Sequence, residues 1–247
     1  MAEETVEGRN AVGELLSSSS RSVRRLLVLE GARNGDPLDL LRASARAKGI
    51  RVDAVSRKEL DRMSERGAHQ GVIALVEAFR YADLDSVIDD ASGQASSLII
   101  VLDHVTDPGN LGAVVRTAEV VGADAVIIPK DRAAAMTPSA LKAAAGAAEH
   151  LPICRESNIA QSLSRLKEAG YWVAGASEQA DTQAWDAPLE GRIVLVMGAE
   201  GSGLARLTER ECDLLVRLPV RGHVSSLNVS AATAVLAYEW LRRAVAS

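Results

Sequence analysis

Two short stretches of glycine and polar residues carry the side chains best suited to chemistry in this sequence. The first, GAEGSG at Gly198–Gly203, follows the apolar run Arg192–Met197. The second places Ser226 and Asn228 in front of a long alanine-rich segment. Glycines let the backbone turn and approach a ligand closely, and Ser or Asn side chains cap the first N–H groups of a helix. Such turns at the ends of buried strands predict a binding crevice in an α/β sheet.

A carboxylate inside the glycine stretch narrows the kind of ligand that it would bind. The pattern Gly-x-x-Gly-x-Gly differs from the dinucleotide-binding fingerprint, and the sequence contains no Gly-x-x-x-x-Gly-Lys-Ser/Thr phosphate loop. Glu200 would repel a phosphate, which favours a neutral or cationic ligand. The alternative is a plain strand-to-helix connection with a glutamate on the surface.

A third polar stretch, Asp107–Ala118, follows the predicted strand Leu98–Leu102. Asn110 is placed to cap the next helix, and Arg116 lies six residues later, less than two helical turns away. The two side chains can therefore share the region near the beginning of that helix. An ordinary loop, a capped helix and a solvated arginine are the alternative.

Several classes of site are disfavoured by the sequence. The four histidines are not spaced as metal ligands, so we expect no metal site. Ser226 lacks the Gly-x-Ser-x-Gly elbow of a serine hydrolase. Cys154 and Cys212 form no disulfide framework, which fits a reducing compartment. No signal-peptide profile or membrane-spanning run is apparent, so we expect a cytoplasmic protein.

Strand-like and helix-like apolar patterns alternate along the sequence, which predicts two α/β units. We expect a small unit at residues 1–80, a linker at 81–97 that is polar and partly helical, and a parallel sheet with helices on both faces at 98–247. Residues 1–81 carry 14 basic and 12 acidic side chains, against 14 and 21 in the remainder. The first unit is therefore the better candidate to face a polyanion. Within the second unit we predict, among others, one continuous helix at Pro138–His150 and a closing helix at Leu227–Val245.

Taken together, these stretches resemble the SpoU/TrmH family of RNA ribose 2′-O-methyltransferases, within the SPOUT superfamily. The resemblance covers about Leu98–Val245 and rests on three motifs in order, which are DPGNLG with RTA at 107–118, VMGAEGSGL at 196–204, and LP with SSLNVS at 218–230. In addition, GRNAV at Gly8–Val12 and HQGV at His69–Val72 are similar to the subgroup that methylates guanosine in large-subunit ribosomal RNA.

The resemblance implies a fold that periodicity does not indicate. The C-terminal parallel-sheet domain would be tied into a deep trefoil knot that forms a pocket for S-adenosyl-L-methionine, and knots are rare exceptions to the usual topology rules. A small N-terminal α/β domain would bind RNA. The family also implies a homodimer whose active site draws on both subunits, with RNA as the partner and neither DNA nor a membrane.

The resemblance also assigns residues to the site. The cofactor would be held by Gly198, Ala199, Gly201, Leu218 and Leu227. The reacting ribose and methyl group would be surrounded by Asn110, Arg116, Glu200, Ser226 and Asn228.

The implied reaction is an in-line displacement, in which the ribose 2′-oxygen attacks the methyl carbon. The family residue that matches Arg116 has been proposed as the base. Arginine stays protonated in proteins, so we expect Arg116 to bind the adjacent RNA phosphate and to stabilise developing oxyanion charge.

Two other functions stay open. One keeps the chemistry but changes the substrate to transfer RNA, although a compact N-terminal module favours ribosomal RNA. The other is an RNA-binding assembly factor without catalysis, against which the presence of Arg116, Glu200 and Asn228 argues.

Overall fold

The computed structural model describes residues 3–17, 22–31, 37–64, 69–77, 79–223 and 226–246. Within these ranges the chain forms two β-sheets, each covered by helices. Ser225, a member of the third sequence motif, lies outside the described residues. No helix among the described residues is long and apolar enough to cross a membrane.

The N-terminal sheet has four strands and mixed pairing. Its elements are β1 (Glu3–Glu7), α1 (Arg9–Ser17), β2 (Val23–Leu29), α2 (Pro37–Ala47), β3 (Arg51–Val55), α3 (Arg57–Met63) and β4 (Val72–Glu77). The strand order is β1-β4-β2-β3, in which only β2 and β3 run parallel. The strand–helix alternation expected here is confirmed. β1 was not predicted, because its sequence EETVE lacks an apolar alternation; it joins the sheet by pairing with β4 at one edge.

The C-terminal sheet has seven strands. The elements from residue 84 onward are α4 (Leu84–Asp90), β5 (Ser97–Asp103), α5 (Pro108–Val120), β6 (Ala125–Pro129), α6 (Pro138–Ala144), β7 (Ile153–Glu156), α7 (Ile159–Glu168), β8 (Trp172–Ala176), β9 (Thr182–Gln183), β10 (Arg192–Gly198), α8 (Arg206–Glu211), β11 (Leu214–Arg217) and α9 (Val229–Ala246). The order is β7-β6-β5-β10-β8-β11-β9, and every pair is parallel. The expected parallel α/β sheet is therefore confirmed. β10 lies between β5 and β8, both of which precede it in the chain. The trefoil knot stays a prediction.

Alternating residues of the central strands bury against helices on opposite faces. Ile100 of β5 belongs to a buried cluster that also contains Leu111 of α5 and Leu236 of α9. Its neighbour Ile99 belongs to a second cluster that contains Leu84 of α4 and Leu163 of α7. Since successive side chains of a strand point to opposite faces, both faces of the sheet are covered. The segment 81–97, predicted as a linker with helical character, thus contributes helix α4 to the second cluster.

The continuous helix predicted at Pro138–His150 is wrong. Helix α6 ends at Ala144. The next two residues, Ala145 and Gly146, take left-handed backbone angles (φ 51° and 99°), and a 3-10 turn follows at Ala147–Glu149. The side chain of Glu14 in α1 occupies the space beside Gly146, where an added Cβ would lie 2.4 Å from Glu14 Cβ. This turn therefore packs against helix α1 of the N-terminal unit, a contact that local periodicity does not indicate.

Candidate functional site

The first two sequence motifs meet at one edge of the sheet. β5 and β10 are parallel neighbours, and their last residues, Asp103 and Gly198, are paired in register. The polar stretch that begins at Asp107 follows β5, and the glycine stretch follows β10. Because the carboxyl ends of parallel strands share one edge, both turns leave the sheet at the same level, where α/β proteins bind ligands.

The turn after β10 is closed on itself by backbone hydrogen bonds. The N–H of Ala199 donates to the carbonyl of Gly203 at 3.1 Å, and the N–H of Gly203 donates back at 2.9 Å. A Cβ on Gly198 would lie 2.3 Å from the carbonyl carbon of Gly203, so no side chain fits at this position. Gly201 (φ 82°) and Gly203 (φ 65°) adopt left-handed angles, which L side chains rarely adopt.

A buried carboxylate ties this turn to β5. Oδ2 of Asp103 accepts a hydrogen bond from the backbone N–H of Ala205 at 2.6 Å, and Oδ1 lies 2.5 Å from Nδ1 of His104. Asp103 is fully buried, and His104 has the left-handed φ of 61°. The sequence analysis assigned neither residue a role. The available signal was an aspartate at the end of an apolar strand, a place where a carboxylate needs partners.

Asn110, Glu200 and Asn228 form one hydrogen-bonded cluster. Nδ2 of Asn228 donates to Oε1 of Glu200 at 2.7 Å, and the same nitrogen lies 2.9 Å from Oδ1 of Asn110. Oε1 of Glu200 also accepts from Nδ2 of Asn110 and from the backbone N–H of Val229, each at 3.3 Å. The cluster joins residues 90 and 118 positions apart along the chain, one from each motif.

Asn228 serves this cluster while it caps helix α9. Its Oδ1 accepts from the backbone N–H of Ser230 at 3.0 Å and of Ala231 at 3.4 Å, which leaves Nδ2 for Glu200 and Asn110. The capping role predicted for Asn228 is confirmed. The capping role predicted for Asn110 is wrong, because Asp107 caps α5 by accepting from the N–H of Asn110 at 2.8 Å.

One carboxylate oxygen of Glu200 is placed to accept a hydrogen bond from a ligand. Among the described residues, no donor reaches Oε2 of Glu200, whereas Oε1 accepts from three nitrogens. A carboxylate whose negative charge is fixed in this way attracts a cation and accepts hydrogen bonds from hydroxyl groups.

Arg116 and Ser226 lie outside this cluster. Arg116 is exposed on α5 and has no hydrogen bond or ion pair with a described residue. Ser226 is exposed ahead of α9. No described residue holds either side chain by a hydrogen bond or ion pair, which leaves both available to a substrate.

The residues expected to hold a cofactor come from the same edge of the sheet. Gly198, Ala199 and Gly201 form the closed turn after β10. Leu218 follows β11 and is partly buried against the larger cluster, and Leu227 is 51% exposed just ahead of α9. A Cβ on Gly201 would meet no atom within 4 Å, so the backbone there borders open space.

Comparisons with known proteins show the family of this chain. The model of the SpoU rRNA Methylase family matches residues 97–238, and the model described as RNA 2'-O ribose methyltransferase substrate binding matches residues 5–82. The 23S rRNA (guanosine-2'-O-)-methyltransferase RlmB of Pseudomonas syringae pv. tomato is 43% identical over 97% of this chain and 96% of its own. The Escherichia coli K12 protein of the same name is 38% identical over 97% of this chain and 98% of its own.

A similar solved structure is that of the SpoU methyltransferase AviRb from Streptomyces viridochromogenes in complex with the cofactor AdoMet. Its TM-score is 0.84 at 25% sequence identity, and the match covers 97% of this chain and 89% of that one.

Proposed function

The chain belongs to the SpoU rRNA Methylase family, and from this membership we propose that it transfers a methyl group from S-adenosyl-L-methionine to the 2′-hydroxyl of a guanosine ribose in 23S ribosomal RNA. Relatives named for this activity align with the chain over nearly its whole length. The observation that carries the proposal is the single cluster formed by Asn110, Glu200 and Asn228.

The residues at the sheet edge fit the cofactor. Gly198, Ala199 and Gly201, with Leu218 and Leu227, would hold its adenosine part through backbone groups and apolar contacts. S-adenosyl-L-methionine supplies an electrophilic methyl group on a positively charged sulfur. The fixed carboxylate of Glu200 suits that positive charge, as a phosphate-binding turn would not.

The cluster would orient the ribose. Oε2 of Glu200, which lacks a donor among the described residues, would accept a hydrogen bond from the 2′-hydroxyl. Asn110 and Asn228 keep the carboxylate in one orientation, and Ser226 would contact the substrate from the same side. Holding a weak nucleophile in line with the methyl group lowers the reaction barrier substantially, because the translational and rotational freedom of the reactants is already lost on binding.

Arg116 would contact the RNA phosphate beside the target ribose. Its guanidinium is exposed and makes no hydrogen bond with a described residue, so it can form a bidentate contact with phosphate oxygens. Its positive charge would also stabilise the negative charge that develops on the 2′-oxygen.

The proposal extends to domains, assembly and location. Residues 1–80 would bind RNA, 81–97 would connect, and 98–247 would carry the methyl transfer. The enzyme would act as a homodimer in the cytoplasm.

A methyl-transfer assay with two RNAs tests the proposal. The purified protein is incubated with S-adenosyl-L-methionine labelled in its methyl group and with unmodified 23S ribosomal RNA or unmodified transfer RNA. Label in ribosomal RNA is the expected result. Label in transfer RNA alone would keep the chemistry and overturn the substrate. No label, while the protein still binds S-adenosyl-L-methionine, would favour an RNA-binding assembly factor without catalysis.

A further inference from the structure

A loop with two exposed basic residues, Lys130 and Arg132, and the exposed Asp131 between them flanks the site on the side of Asn110. The segment Lys130–Thr137 connects β6 with α6. Since β6 pairs in parallel with β5, this loop leaves the same edge of the sheet as the stretch that carries Asn110. The turn around Gly198 follows β10, on the opposite side of β5. The sheet order therefore puts the loop on the side of the stretch that carries Asn110, one strand further from the proposed cofactor turn.

Hydrogen bonds tie this loop to neighbouring segments at its start and its middle. At its start, the N–H of Lys130 donates to the carbonyl of Glu156 at 2.8 Å, and its own carbonyl accepts from Arg155 Nη2 at 2.7 Å. Further on, the N–H of Ala134 donates to the carbonyl of Val105 at 2.8 Å. The last bond matters for position, because Val105 belongs to the connection between β5 and α5.

The two sides of the loop differ in character. Ala134 and Met136 are buried in the larger cluster together with Val105. Lys130 and Arg132 are exposed, and neither side chain forms a hydrogen bond or ion pair with a described residue. Arg132 moreover has φ 54°, a left-handed angle that is unfavourable for a residue with a long side chain. The edge of the site thus carries two cations without a partner among the described residues, and the backbone angle of Arg132 has a conformational cost.

We propose that Lys130 and Arg132 bind phosphate groups of the RNA backbone next to the target nucleotide, and so hold the RNA at the site. This inference rests on the proposed function, since it assigns RNA contacts to the same site. Exposed lysine and arginine side chains that lack protein partners are the usual ligands of nucleic-acid phosphates, which fix register without reading sequence. Arg116 on helix α5 and the loop that follows β6 would then both bind phosphate groups of the RNA.

The experiment compares Arg132→Ala and Lys130→Ala with Arg210→Ala. Arg210 is an exposed arginine in the last turn of α8, ahead of the amino end of β11, and its side chain also forms no hydrogen bond or ion pair with a described residue. Initial rates of methyl transfer to 23S ribosomal RNA are measured against RNA concentration, at saturating cofactor and several salt concentrations.

We expect each loop variant to raise the KM for RNA about five- to tenfold with kcat nearly unchanged, because a phosphate contact adds to affinity without changing the reacting atoms. The salt dependence should weaken by about 0.7 in the slope of log affinity against log salt for each lost contact to single-stranded RNA. Arg210→Ala should match the parent, and Arg132→Lys should recover most of the affinity.

Arg132→Gly separates RNA binding from folding. Glycine accepts the left-handed angle without strain, so this variant should unfold at the same or higher urea concentration than the parent while its KM rises as in Arg132→Ala. The inference is wrong if the loop variants and Arg210→Ala have the same KM and salt slope. If the parent transfers no methyl group, the proposed function fails, and filter binding of the same RNA by these variants still decides whether the loop holds it.

Discussion

Replacing Gly198 by alanine should open the turn that follows β10, because the added methyl group has no room. Its Cβ would lie 2.3 Å from the carbonyl carbon of Gly203, 2.5 Å from the oxygen of that carbonyl, and 2.6 Å from the nitrogen of Leu204. All three are backbone atoms, which cannot rotate aside as a side chain can. Gly198 is not among the residues with a left-handed φ, so the steric overlap acts alone.

The expected cost follows from the contacts that must break. Relieving the overlap separates Ala199 from Gly203 and loses their two hydrogen bonds, of 3.1 and 2.9 Å. At about 1 kcal/mol for each hydrogen bond and about 1 to 3 kcal/mol for residual overlap, the free energy of unfolding should fall by about 3 to 5 kcal/mol. Because the proposed cofactor contacts lie on this turn, the affinity for S-adenosyl-L-methionine should fall at least about tenfold, which corresponds to about 1.4 kcal/mol.

Urea unfolding and calorimetric titration with S-adenosyl-L-methionine measure the two quantities. Gly93→Ala is the matched control, since Gly93 has a left-handed φ of 82° and no atom within 4 Å of its added Cβ. That variant should lose only about 1 kcal/mol and bind the cofactor normally. The reasoning is refuted if Gly198→Ala is as stable as Gly93→Ala and binds the cofactor as the parent does.

Three other predictions concern charge and burial. Arg116→Lys should keep appreciable activity with the pH profile of the parent; a rate that rises with pH only in the variant would instead support a role as base. Hydrogen bonds from Arg242 and Arg243 lower the pKa of Glu239 from 4.5 to about 2. The stability that this gives, about 1 to 2 kcal/mol, is complete above pH 4.5 and is lost as the pH falls toward 2, so urea titrations of Glu239→Gln should lack this acid dependence. Burial raises the pKa of the Cys154 and Cys212 thiols to about 12. Iodoacetamide at about pH 8 should therefore alkylate both thiols in urea but neither in the folded protein, as read by mass spectrometry; rapid alkylation of the folded protein would contradict this.

The parallel sheet and the main strands could be predicted from local patterns. Leu98–Leu102 and Ile193–Met197 are apolar runs bounded by polar or glycine residues, and both fall within strands, β5 and β10. Period alone does not separate a continuous apolar run in a buried strand from one in a buried helix. The short length of these runs and the residues that bound them favour strands. The meeting of Asn110 with Glu200 and Asn228 was expected only through family resemblance, since contacts 90 and 118 residues apart leave no trace in a local period.

One wrong prediction arose where a tertiary contact overrides local helix propensity, and the other where a local signal was missed. Alanine favours a helix through Ala145 and beyond, but the packing of Glu14 against Gly146 accompanies a left-handed turn that ends α6. At α5, Asp107 and Asn110 are both good capping residues. The missed signal was Pro108. Because proline favours the first helical position, it indicates that the residue before it, Asp107, is the cap.

The most direct test of the site is the position of the methyl group on RNA and its dependence on Asn228. Labelled 23S ribosomal RNA from the parent enzyme is digested with alkali, which cannot cleave after a 2′-O-methylated ribose, and the same reaction is run with Asn228→Ala and with Asn158→Ala. Asn158 caps α7 through its Oδ1 at 3.2 Å from the N–H of Gln161, so both variants lose a helix cap but only Asn228→Ala loses contacts to Glu200 and Asn110. We predict label in an alkali-resistant dinucleotide with the parent and Asn158→Ala, and at least about a hundredfold less with Asn228→Ala. Label on a base, or equal label with Asn228→Ala, would contradict the assignment of this cluster to ribose methylation.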